Sequence, residues 1–186
     1  MQTSLSELLV AEHNVILEAG KLIDANNKLW ETDPAAYNEL VSYLVNFFSE
    51  YGDEFHHQKE EEILFPAINK ANEVVGASIV SELIEHHEDF RDLIQRIRNT
   101  LSQQDYVSTQ KYLETYMQSL KDHIAAENDE LFPMADDLLS PDEIDKLYYR
   151  CIDKDEELGV ERKKEFEKNQ KGKLVIYPDI IKINKL

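Results

Sequence analysis

FHHQKEEEILFP at residues 55–66 and DHIAAENDELFP at residues 122–133 share one pattern, H-x3-E-x3-L-F-P. His56, Glu60, Leu64, Phe65 and Pro66 stand in the first stretch where His123, Glu127, Leu131, Phe132 and Pro133 stand in the second. Residues four apart on a helix share one face, with side-chain roots roughly 5–6 Å apart. Each stretch therefore presents an imidazole nitrogen beside a carboxylate, a mixed donor set that suits iron or zinc. Burying either group unpaired is costly, so a plain core helix has no use for the pairing.

Working outward, apolar spacing predicts four long helices. The first runs roughly from Ser4 to Lys28 with Leu5, Leu8, Leu9, Ile16, Leu17 and Ile23 on one side. The second starts at Asp33-Pro34, where proline suits a first turn, and carries the first motif, with Pro66 expected to kink or end it. The third spans about Ala77 to Leu101, and His87 falls inside its stripe of Leu83, Ile84, Phe90, Ile94 and Ile97. The fourth runs from about Tyr106 through the second motif and is expected to end at Pro133. Short connections between long amphipathic helices predict an all-α, up-down-up-down four-helix bundle over residues 1–139. A C-terminal helical extension and short tail, 140–186, follow. There Ser140 and Glu143 form a helix-start signature, and Gly159 marks that helix's end. The stretch Glu161 to Lys173 reads as a polar helix or linker, and LVIYPDIIKI, residues 174–183, as β-like.

The composition agrees with that architecture. Only five glycines and five prolines in 186 residues leave long helices uninterrupted. Cys151 is the sole cysteine, which excludes an internal disulfide and a cysteine-based zinc site. A net charge of −18 opposes nucleic-acid phosphates. No apolar run is long enough for a membrane span, and MQTSLSELLVAEH lacks the basic start and apolar middle of a signal peptide. The expected address is the cytoplasm.

A metal site inside such a bundle needs ligands from the other two helices. His13 lies among Leu9, Ile16, Leu17 and Gly20 on the first, and His87 sits in the stripe of the third. Two doublets raise questions of register. The repeat aligns His56 with His123, whereas His57 aligns with Ile124 and points about 100° away. His57, with Glu61, is then an outer partner or an additional ligand. Periodicity favours His87 over His86, and Glu130 is a rival to Glu127. His13, His56, Glu60, His87, His123 and Glu127 suffice for two metals bridged by the two glutamates. Each metal would keep two imidazoles and at least one open position.

The segments AEHNVIL, FHHQKEEEILFP, EHHEDFRDLI and DHIAAENDELFPMAD together resemble the hemerythrin-like, HHE cation-binding family from about Leu5 to Leu139. The resemblance implies a non-haem diiron centre, oxo- or hydroxo-bridged, with those six residues as iron ligands. It also implies a small ligand such as oxygen, nitric oxide or peroxide, and for an enzyme or iron-release role an electron donor. Two departures separate this chain from the oxygen-carrying members. Leu83 stands four before His87, where they place a further histidine, and the fourth helix has H-x3-E in place of H-x4-D. Fewer histidines leave more exchangeable positions, which favours sensing, detoxification or iron and redox stress response over reversible carriage. The alternatives are oxygen binding and storage, or a metal-stabilised regulatory bundle without catalysis.

Overall fold

The computed structural model describes residues 4–176 and is all-helical, with no strand among the described residues. Helix α1, Leu5–Ala25, starts at Ser4. The Ser4 hydroxyl accepts from the Glu7 N–H at 3.1 Å, and the Glu7 carboxylate accepts from the Ser4 N–H at 2.9 Å. This reciprocal pair satisfies two donors that a bare helix end leaves open. α1 stops short of the expected Lys28. The Asn26 side chain turns back onto the Leu22 carbonyl at 2.8 Å, and Lys28 adopts a left-handed φ of 70°.

A 3-10 turn, Leu29–Glu31, leads to α2, a continuous helix over residues 34–71 capped by Asp33. α3 covers residues 73–102, and α4, capped by Asp105, covers residues 106–138. α5, Pro141–Leu158, starts at the expected box of Ser140 and Glu143 and ends at Gly159, whose φ of 108° suits glycine. α6, Val160–Ile176, makes the polar stretch a helix. The backbone of Leu174, Val175 and Ile176 belongs to α6, which corrects the β-like expectation there; residues 177–183 lie outside the described residues.

Pro133 does not end its helix, contrary to expectation, and of the two outcomes expected at Pro66 the helix end does not occur. α2 continues to Ala71 and α4 to Leu138. A proline inside an α-helix lacks an N–H and crowds the carbonyl four residues back. Here a wide π turn precedes each one, Glu60–Leu64 before Pro66 and Glu127–Leu131 before Pro133. The Phe65 N–H donates to the Glu60 carbonyl and the Phe132 N–H to the Glu127 carbonyl, both spanning five residues. The Glu62 carbonyl, four before Pro66, instead accepts from the Arg150 guanidinium of α5 at 3.2 Å.

α3 lies along α4, α1 touches α4 and α2, and α2 touches α3. Gly20 marks the α1–α4 approach, where an added Cβ would stand 2.8 Å from Met117 Sδ. The core is in two apolar clusters. One gathers Ile16, Leu44, Phe48, Ile97, Tyr116 and Leu120; the other gathers Leu9, Leu64, Leu83, Leu131 and Phe132. α5 and α6 pack on α1 and α2 and contribute Leu147 and Cys151 to the second cluster and Phe166 to the first.

Candidate metal centre

His13, His56, Glu60, His87, His123 and Glu127 are all buried, and the structure brings them together. They form two overlapping sets of converging donor atoms, each atom within 4.8 Å of the others in its set. One set is His13, His56, Glu60 and Glu127; the other is His87, His123 and the same two glutamates. The imidazoles meet through their Nε2 atoms, His56 to His13 at 2.8 Å and His87 to His123 at 3.2 Å. Glu60 stands between His56 and His87, with a different oxygen 3.6 Å from each Nε2. Glu127 stands between His13 and His123, with a different oxygen 3.2 Å from each.

Outer partners fix the ring orientation. His56 Nδ1 lies 2.9 Å from Glu12 Oε2, His13 Nδ1 lies 2.8 Å from Asn128 Oδ1, and His87 Nδ1 lies 2.8 Å from Glu61 Oε1. Carboxylates and amide oxygens only accept, so each Nδ1 carries the proton and each Nε2 turns its lone pair inward. His123 Nδ1 faces Nδ1 of the half-buried His86 at 3.4 Å.

Burial pushes all four imidazoles down from their ordinary pKa and so holds them neutral. It pushes Glu60 far up, with Glu127 adding repulsion, and raises Glu127 to about 8. No hydrogen-bond donor serves any of the four carboxylate oxygens of Glu60 and Glu127. Buried acceptors are ordinarily paired. Neutral imidazole lone pairs facing two unserved carboxylates make a site short of positive charge, and metal cations fit it. Zinc and manganese share much of that donor preference with iron.

The rivals are placed elsewhere. Glu130 is exposed, because the π turn opening at Glu127 leaves that residue inward and carries Glu130 to solvent. Leu83 is buried in the apolar cluster, so four residues before His87 there is no donor. His57 is buried and stacked on His87, ring centroids 3.9 Å apart, and has a donor atom within 4.8 Å of those of His87 and His123. Its Nδ1 lies 3.4 Å from Asp53, which Arg91 grips at 2.7 Å. A groove of about 650 Å³ between α3 and α4 runs in to His86 and His123 past Glu82, Asp89, Asp92 and Asp122.

The hemerythrin HHE cation-binding domain family matches residues 4–135, most of the chain and all six converging residues. The chain belongs to that family. Comparison with curated proteins and with solved structures gives no significant match. No helix among the described residues is long and apolar enough to cross a membrane.

Sequence reasoning missed the groups that hold this hemerythrin-family site in place. Glu12 and Asn128 each adjoin a ligand candidate, where acids and amides on the solvent face look the same. Lys59, Asp155 and Lys163 are buried with Glu12 although separated along the chain. The one available signal was Lys59, three residues after His56 on a face that is otherwise inward.

Proposed function

We propose that this protein holds two iron ions and binds or reacts with oxygen, peroxide or nitric oxide in sensing, detoxification or iron and redox stress response. The observation that carries this reading is the pair of two-histidine sets sharing Glu60 and Glu127. His13 and His56 would hold one ion, His87 and His123 the other, and both glutamates would bridge. Bound iron would supply Lewis acidity and one-electron redox change. Glu12, Asn128 and Glu61 keep Nε2 of their histidines free of protons and fixed in direction. Phe132 stacks on His13 and Phe65 on His87, which excludes water and strengthens every charge interaction inside.

The reading includes α1 to α4 as an up-down-up-down four-helix bundle, residues 1–139, with residues 140–186 as an extension to it. It places the protein in the cytoplasm, where the lone buried Cys151 stays reduced. A second reading, reversible oxygen binding, is favoured by His57, a fifth buried imidazole within reach of His87 and His123.

Metal analysis and an absorption spectrum of aerobically purified protein test the proposal. About two irons per chain with oxo-bridge absorption are expected, and one metal per fully loaded chain would overturn it. The ferrous protein should oxidise in air within minutes and change spectrum with nitric oxide. An oxygen adduct stable for hours, lost in His57→Ala, would establish the second reading.

A further inference from the structure

The Nδ1 atoms of the four histidines are not held alike. On the His87 and His123 side the partners are Glu61 and His86, both partly exposed, and Glu61 is backed by a partly exposed Arg91. On the other side, His13 meets a partly exposed Asn128, but His56 is held by a sealed ionic cycle. Glu12 Oε2 accepts from His56 Nδ1 at 2.9 Å, and Glu12 Oε1 accepts from Lys59 Nζ at 2.5 Å and from Lys163 Nζ. Both lysines also reach Asp155, at 2.5 Å each.

The four charged groups come from four helices, α1, α2, α5 and α6, and all are buried. Two carboxylates and two ammonium groups leave no net charge. Taking four charges out of water is costly, and apolar replacements of such cycles are often as stable. Stability alone is therefore a weak reason for this cycle, whereas its contact with a ligand candidate supplies a functional one.

We propose that α5 and α6 clamp one half of the metal centre from outside: Asp155 and Lys163 lock Glu12, and Glu12 locks the ring plane and tautomer of His56. The inference rests on the two-metal reading above. Its consequence is that the two positions differ. The His13/His56 position keeps its metal, and the His87/His123 position, next to the groove, exchanges. Glu12, Lys59, Asp155 and Lys163 are positioning residues that act through His56.

The test uses the full chain loaded with cobalt(II), whose visible absorption reports ligand geometry, and then challenged with a chelator. Native protein should release cobalt in two phases of equal amplitude. Glu12→Gln and Lys163→Met should accelerate the slow phase about 10–100-fold, the range seen when outer partners of ligating histidines are removed. Lys163→Arg should restore it, and Arg91→Met should accelerate the fast phase alone. Glu12→Gln should also alter the absorption of the slowly released cobalt at unchanged helix content, a change that loosened packing would not produce. If Lys163→Met fails to fold, Glu12→Gln decides, because it preserves shape and removes one charge. A slow phase within twofold of native in Glu12→Gln, or a single phase releasing both metals from native protein, would overturn the clamp and leave two-metal binding intact. Uptake of one cobalt or none would overturn the two-metal reading and the clamp with it.

Discussion

Glu127 is buried completely, beside neutral imidazoles and another acid, so in the chelated protein it behaves as an acid that prefers to keep its proton. Its pKa is raised from 4.5 to about 8, so the folded state binds the proton more tightly than the unfolded chain. That contribution to stability is complete below about pH 4.5 and lost as pH rises to about 8. The four histidines have the opposite sign: burial lowers their pKa, so their contribution is complete above 6.5 and lost as pH falls. Above about pH 7 the histidines are mostly neutral in the unfolded chain too, and the carboxyls then dominate the slope up to about pH 8. We expect chelated protein to lose stability there, by at most about 1.4 kcal/mol per pH unit per proton released. Denaturant titrations should show a smaller slope in Glu127→Gln, and an unchanged slope would remove Glu127 as its source. The same residues show what the sequence could reveal. A repeat at helical spacing identified His56, Glu60, His123 and Glu127, because only a shared inward face explains it. Glu12 was hidden, because its partners Lys59 and Lys163 meet it only in the folded chain.

At the level of the helix, the two π turns convert a proline from a terminator into part of the site. Each turn begins at a bridging candidate, Glu60 or Glu127, and its extra residue lets that glutamate face the centre while Leu64 and Phe65, or Leu131 and Phe132, fill the apolar layer. π turns of this kind gather at functional sites. Pro66→Ala restores an N–H that can bond to the Glu62 carbonyl and lets α2 relax to a regular helix, turning Glu60 away. Proline inside a helix costs roughly 3 kcal/mol. We therefore expect chelated Pro66→Ala to melt at or above the native temperature while binding metal at least tenfold more weakly, read from melting curves and a chelator competition. Weaker metal binding with a lowered melting temperature would instead make Pro66 a purely structural residue. Apolar periodicity located α1 to α4; caps at Ser4, Asp33 and Asp105 set the starts of α1, α2 and α4, and Ser140 that of α5. It could not show α4 passing Pro133, nor decide between a bend and an end at Pro66, since the relief comes from backbone geometry and, for Pro66, from Arg150 in another helix.

Across the whole molecule, the His and Glu layer separates the two apolar clusters, so the core is interrupted where the candidate metals would sit. The extension bridges that interruption from outside, with Leu147 and Cys151 in one cluster, Phe166 in the other and the Glu12 cycle between them. Metal that binds the folded chain and not the unfolded one adds stability by mass action, about 3–4 kcal/mol at 100 to 1,000 times the dissociation constant. For a domain of this size that corresponds to roughly 6–16 °C in melting temperature. Two effects combine on chelation: the mass-action term vanishes, and Glu60 and Glu127 are left facing each other, each better stabilised by a proton than by charge. Glu60→Gln removes one of those acids in both states. It weakens the metal and also relieves the metal-free protein, so the gap between loaded and chelated forms should narrow from both ends. We expect calorimetry at pH 7.5 to show a large gap in native protein and a small one in Glu60→Gln, with the chelated variant melting above chelated native protein. Equal melting of loaded and chelated native protein would mean that the two apolar clusters and the extension hold the fold without the centre. A chelated Glu60→Gln melting below chelated native protein would show that the carboxyl pair stabilises the fold instead of opposing it.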